Sequence, residues 1–119
     1  VAIRIPTSSA DAKRLEHRVA GADANPYLVV AALLSGIHHG ITKKIKPPKI
    51  STGDASADNP PSLPLSVVES LNTFTKSAFI KEYFGEDFRE HYSIFKTVEK
   101  ERFEKHVTPL ELDWYLRTV

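Results

Sequence analysis

From Tyr27 to Ile41 the chain carries Leu, Val, Ala and Ile on nearly every face of the helix that its pattern predicts. A helix apolar all round is normally buried on all sides. A domain of 119 residues can hardly enclose one alone. Part of this helix is therefore expected to face other polypeptide. Asn25-Pro26 opens it, a capping side chain followed by Pro at the first helical position, where the missing N–H costs nothing. Two further features point the same way. The chain has no Met, and it opens inside an apolar pattern, Val1-Ala2-Ile3-Arg4-Ile5, with no cap or turn before it. It reads as a segment of a longer protein, whose function is to be sought in a partial site.

Around that helix the pattern divides the chain into strands at 1–24, the helix at 25–45, a loop at 46–63 and a helical tail at 64–119. Residues 1–6 alternate weakly around Ile3 and Ile5 and stop at Pro6, a short strand. Residues 13–19 alternate charged and less polar positions, a second strand. Between 43 and 63, prolines at 47, 48, 60 and 61 enclose a small, polar stretch, so an exposed and flexible loop is expected. Beyond it, Ser66-Val67-Val68-Glu69 has the form of a capping box, a short helix covers roughly 75–84 and Gly85 breaks it. Phe88, Tyr92, Phe95, Val98 and Phe103 then make one apolar stripe, with Glu101 and Lys105 spaced for an i,i+4 pair. Thr108-Pro109-Leu110-Glu111 caps the last helix. The fold class expected is α+β and mostly helical: two short N-terminal strands from a larger antiparallel sheet or barrel, then about five helices.

Composition excludes several functions. Sixteen Lys and Arg against fifteen Asp and Glu leave a net charge of +1, which argues against strong attraction to nucleic acid or an anionic membrane. The absence of Cys removes disulfides, thiolate metal sites and cysteine nucleophiles. No apolar run approaches the ~20 residues of a membrane helix. The basic run Lys43-Lys44-Ile45-Lys46-Pro47-Pro48-Lys49 contains no interleaved aromatic, so it reads as a solvated helix end and loop. His38 and His39 are adjacent and point apart on a helix, so they are no metal pair; their position suits the negative helix end.

The informative stretch is Arg14-Leu15-Glu16-His17-Arg18. On a strand, Arg14, Glu16 and Arg18 share one face, while Leu15, His17 and Val19 share the other. A carboxylate between guanidiniums suits a site for a hard metal ion and a polyanion: Glu offers oxygens to Mg²⁺ or Mn²⁺, and Arg clamps phosphate or carboxylate bidentately. Arg4 joins the same cluster if the two strands are neighbours. Spacing alone favours the plainer reading, a solvent-facing ladder of ion pairs of little energetic weight.

The sequence around this stretch alters that balance. Arg14-Leu15-Glu16-His17-Arg18, then Gly21-Ala22-Asp23-Ala24-Asn25-Pro26-Tyr27-Leu28 and the helix that follows, resembles the C-terminal part of the glutamine synthetase superfamily. Arg18 through Val29 is more similar to the γ-glutamylputrescine (γ-glutamylpolyamine) synthetase branch than to the housekeeping branch, and Phe103-Glu104-Lys105, Thr108 and Glu111-Leu112-Asp113-Trp114-Tyr115-Leu116 resemble that branch's ending. The similarity runs from Ala2 to the last residues, with 46–63 matching poorly. The combination of Arg-x-Glu-x-Arg with Asn-Pro-Tyr is far more specific than either half.

The resemblance implies an ATP-dependent ligase: the γ-carboxylate of glutamate attacks the γ-phosphate of ATP, and an amine takes the γ-glutamyl group from the resulting acyl phosphate. The amine is a polyamine such as putrescine in one branch and ammonia in the other. By motif position, Glu16 matches a metal ligand for Mg²⁺ or Mn²⁺, Arg18 an arginine that contacts substrate glutamate, and Arg14 and Arg4 arginines on the ATP phosphate side, the last through Ile3-Arg4-Ile5-Pro6. Where many members carry a lysine ahead of Arg14, this chain has Asp11, so no ATP contact carries over to that position. The other metal ligands and the adenine pocket lie upstream in the family. The 119 residues alone are therefore expected to be inactive. A cytoplasmic homo-oligomer of ring form, without nucleic-acid or membrane partners, is also implied. Three rivals stay open: an ammonia-using glutamine synthetase, a non-catalytic relative that keeps the fold, and a small helical interaction domain. Clustering Arg4, Arg14, Glu16 and Arg18 without a ligand is costly, which counts against the second.

Overall fold

The computed structural model describes residues 2–51, 53 and 63–118. Two compact units divide between residues 60 and 61. The expected loop at 46–63 falls largely on 52 and 54–62, outside the described residues.

The first unit holds β1 (Ile3–Arg4), β2 (Glu16–His17) and α1 (Pro26–Thr42), with a single 3-10 turn at Ala10–Ala12 between the strands. The strands pair antiparallel, Ile3 opposite His17 and Arg4 opposite Glu16. Both are shorter than the alternation at 1–6 and 13–19 suggests. Pro6 has no N–H to extend the ladder and is itself buried, so pairing ends before it. One more bond continues the ladder at the other end, Arg18 N–H to the Ala2 carbonyl at 2.9 Å.

Asn25 starts α1 as its spacing predicts: its Oδ1 accepts from the amides of Tyr27 at 3.0 Å and Leu28 at 3.3 Å. The lower face of the strand pair and one side of α1 enclose an apolar groove of about 470 Å³, lined by Ile3, Leu15, His17, Val29, Leu33 and Ile37 among others. Tyr27, Val30, Leu34 and Ile41, on the remaining faces of α1, are exposed.

Among the described residues the elements of the second unit are all helices: α2 (Val67–Thr75), α3 (Ala78–Phe84), α4 (Glu86–Glu104) and α5 (Pro109–Tyr115). α2 and α3 both pack against α4. Phe74 meets Phe88 and Tyr92 at ring-centroid distances of 6.5 and 5.2 Å, and Phe84 stacks on Phe88 at 5.3 Å. The buried Ser93 hydroxyl donates to the Arg89 carbonyl at 2.6 Å and accepts from Thr75 Oγ1 at 3.1 Å, tying α4 to α2. Gly85 ends α3 and begins α4 with φ +89°, a backbone conformation that side chains disfavour. Among the described residues the α+β, mostly helical class, with five α-helices and two short antiparallel strands, is as the sequence predicts.

Local details depart from the pattern. Ser66 Oγ accepts from the Glu69 amide at 3.1 Å, but the Glu69 carboxylate accepts from Leu65 N–H at 3.0 Å, one residue before the cap, so the capping box there is incomplete. At Thr108 it is complete: Thr108 Oγ1 accepts from Glu111 N–H, and Glu111 accepts from Thr108 N–H at 2.7 Å. Lys105 is the C-cap of α4 rather than a helical residue, and the ion pair nearby is instead Lys100–Glu104 at 2.6 Å. The apolar stripe of α4 divides: Phe88 and Tyr92 pack, while Phe95, Val98 and Phe103 are exposed, because the face that α2 covers is centred nearer Ser93.

Candidate active-site cluster on the strand pair

The ladder register decides which charged groups meet. Because Arg4 stands opposite Glu16, their side chains rise from the same face at neighbouring positions. Arg4 Nη1 donates to Glu16 Oε2 at 3.2 Å. Arg14 lies two residues before Glu16 and therefore on that face as well; its Nε donates to Glu16 Oε1 at 3.2 Å, with Nη2 also 3.2 Å away. One carboxylate is thus bracketed by two guanidiniums, one on each oxygen. Leu15 and His17 line the apolar groove beside α1, on the opposite face, as the period of two requires.

Arg18 is placed differently. Its amide is held by Ala2, two residues beyond Glu16 on the same register, and its side chain is exposed. Among the described residues, no ion pair ties Arg18 to Glu16. Arg4, Arg14 and Glu16 are brought together; Arg18 stands beside them with its guanidinium uncommitted to that carboxylate.

Exposure tells what such a cluster is suited for. The Arg4 and Arg14 side chains are 56% and 59% exposed, and Glu16 28%. Pairs this open contribute little to stability. Two cations against one anion leave the cluster net positive and turned to solvent. It can receive a polyanion on its guanidiniums.

For a metal ion, Glu16 is a hard-oxygen donor. A carboxylate offers about four acceptor positions, and the arginine contacts leave Oε2 the less encumbered oxygen. Among the described residues there is no group of three or more His, Cys, Asp or Glu able to hold a metal. Glu16 therefore fits as one ligand of a set that other residues complete, not as a site by itself.

The turn that carries Arg18 into α1 is tight. A Cβ at Gly21 would lie 2.7 Å from Asp23 Oδ1, and Ala24 N–H bonds back to the Gly21 carbonyl at 3.2 Å. The pattern marks Gly21 only as a turn residue; the closeness of the Asp23 carboxylate, two residues on, belongs to the local geometry of that turn.

Comparison with known proteins is decisive at this point. The model of the family described as glutamine synthetase, catalytic domain, matches residues 1–115. The chain belongs to the glutamine synthetase family. It is 36% identical over 117 residues to γ-glutamylputrescine synthetase PuuA of Escherichia coli, covering 98% of this chain and 25% of that protein. It is 39% identical over 120 residues to a glutamate–isopropylamine ligase of a Pseudomonas species, covering 98% and 26%. With a γ-glutamylethanolamide synthetase of Streptomyces coelicolor the identity is 34% over 104 residues, 87% of this chain and 22% of that one. Proteins named glutamine synthetase also match, one at 39% identity. The chain spans about a quarter of the length of these relatives. Within this glutamine synthetase family chain, no described helix is long and apolar enough to cross a membrane.

Proposed function

We propose that the protein joins the γ-carboxylate of glutamate to an amine at the expense of ATP, with a polyamine such as putrescine as the amine, and that these residues form one wall of its site. The observation that carries the reading is the single carboxylate of Glu16 bracketed by Arg4 and Arg14 on an exposed strand face. Family membership and relatives named for glutamate–amine ligation support it. Each residue has a chemical role. Arg4 and Arg14 bind the phosphates of ATP and hold positive charge where negative charge gathers during transfer. Arg18 binds the substrate glutamate and orients its γ-carboxylate. Glu16 supplies one oxygen ligand to Mg²⁺ or Mn²⁺; such an ion, when bound, neutralises charge on the phosphate oxygens.

The chemistry balances in two steps. A γ-carboxylate oxygen of glutamate bonds to the γ-phosphorus and ADP leaves. The amine nitrogen then bonds to the γ-carbonyl carbon, phosphate leaves and the amine loses a proton. The guanidiniums take no part in bond making; they position and stabilise. The family resemblance puts further metal ligands and the adenine pocket upstream of these residues, and on this reading the working protein is a cytoplasmic homo-oligomer of ring form.

A second reading, an ammonia-using glutamine synthetase, is supported by the matches that carry that name. Assaying the full-length protein with putrescine and with ammonia separates the two. Putrescine-dependent release of phosphate is the expected result, and activity with ammonia alone overturns the polyamine reading.

A further inference from the structure

α4 meets α2 and α3 along the side that carries Phe88, Arg89, Tyr92 and Ser93. Its other side carries a seam of Asp87, His91, Ile94, Val98, Glu101 and Lys105, all exposed, with Ile94 at 56% and Val98 at 42%. The steps along the seam are 4, 3, 4, 3 and 4 residues. That is the heptad spacing that keeps one line of side chains facing a partner helix. Lys105, the C-cap, has right-handed helical angles, so the line runs through it. Glu90 borders the seam near its start and Arg102 near its end, and both are exposed. Among the described residues, none of Asp87, Glu90, Glu101, Arg102 and Lys105 enters an ion pair.

The spacing reads the same in both directions, so an inverted copy of the helix falls into register with it. Asp87 then faces Lys105, His91 faces Glu101 and Ile94 faces Val98, while Glu90 faces Arg102 along the border. Carboxylate meets cation, imidazole meets carboxylate and aliphatic meets aliphatic. A parallel copy sets Asp87 on Asp87, Glu101 on Glu101 and Lys105 on Lys105, which like charges disfavour. We infer that this seam of α4 is the surface on which a second copy of the chain docks, antiparallel about a two-fold axis. Such a contact is isologous: each facing pair occurs twice. It stands apart from the ligation chemistry, and its test reads assembly rather than turnover.

The test is sedimentation velocity of the full-length protein over a range of concentrations, with charges reversed at the border. Glu90→Arg sets a guanidinium against Arg102 of the second copy at two symmetric places. It is expected to weaken the association at least about 10-fold and give a smaller assembly, with the thermal midpoint of the subunit unchanged. Adding Arg102→Glu is expected to restore both the size and the strength of association. The restoration is specific to pairing between copies, because twelve residues of helix, at about 1.5 Å each, hold positions 90 and 102 about 18 Å apart within one chain. Should Glu90→Arg fail to fold, Arg102→Glu alone serves as the single reversal. An assembly indifferent to the single reversal overturns the contact, and so does a weakened assembly that the double reversal fails to restore, which would mean that other polypeptide covers the seam. A monomeric wild type overturns the contact and the ring assembly together while leaving the ligase reading standing.

Discussion

A guanidinium–carboxylate contact on an open strand holds little of the fold together, so its residues can be changed with the structure left intact. That separates the proposed roles of Arg4, Arg14 and Glu16 from stability. On the proposed ligase reading, Glu16→Ala in the full-length protein is expected to lower kcat/KM for ligation at least about 100-fold, the scale of removing one group that stabilises transition-state charge, and to raise the metal concentration needed for half-maximal rate. Its thermal midpoint should stay close to that of the wild type, because the side chain contacts exposed arginines. Unchanged rate and metal dependence would favour the non-catalytic reading. Arg4 was harder to place from the sequence than Arg14 or Glu16. Spacing puts Arg14 and Glu16 on one face from the chain alone. Arg4 needs the register of a partner strand twelve residues away, which only the pairing of Ile3 with His17 supplies.

Elements were legible where a local signal marks their ends. Asn25-Pro26 and Thr108-Pro109 each carry a cap and a proline, and α1 and α5 begin at those prolines. Both strands are shorter than their alternation suggests, because Pro6 ends the hydrogen bonding before the alternation itself ends. The face of α4 that packs differs from its apolar stripe for a tertiary reason: α2 reaches it through Thr75 and Phe74, and sequence spacing on α4 holds no information about where its neighbour lies. Replacing Asn25 by Ala removes the acceptor for the Tyr27 and Leu28 amides, and should cost about 1 kcal/mol by urea denaturation, with Asn25→Asp retaining the cap. At the α3–α4 corner, Glu86 pairs with Lys81 at 2.6 Å and with Arg89. The hydrogen bond from Lys81, aided by Arg89 and against partial burial, holds the Glu86 carboxyl below its ordinary range. A carboxyl lowered in the folded state stabilises above its unfolded value, about 4.3, and that contribution is lost as pH falls through the lower folded value. Acid titration of helicity should therefore show Glu86→Gln losing less stability than the wild type between pH 5 and the onset of acid unfolding.

At the scale of the whole chain, burial is what the sequence could only hint at. Among the described residues no hydrophobic side chain is fully shielded, and large apolar groups on every long element are open, including Leu34 at 61%, Phe103 at 74% and Trp114 at 59%. Apolar burial contributes roughly 25 cal/mol per Å², and it is the main term that offsets the entropy of ordering a chain. The all-round apolar helix expected from Tyr27 to Ile41 states the same problem in one dimension: such faces need partners, and the described residues leave Tyr27, Val30, Leu34 and Ile41 exposed. The isolated chain is therefore expected to unfold over a broad temperature range, to bind a hydrophobic dye such as ANS without denaturant, and to hydrolyse no ATP in the presence of glutamate, amine and Mg²⁺. The full-length protein should melt sharply, exclude the dye and turn over. Measuring both with the same calorimeter and coupled assay makes the comparison direct. Cooperative melting of the isolated chain would show that the exposed faces need no further polypeptide, and any ATP turnover by it would mean that Glu16 and the three arginines suffice for a site that the present reading completes from elsewhere.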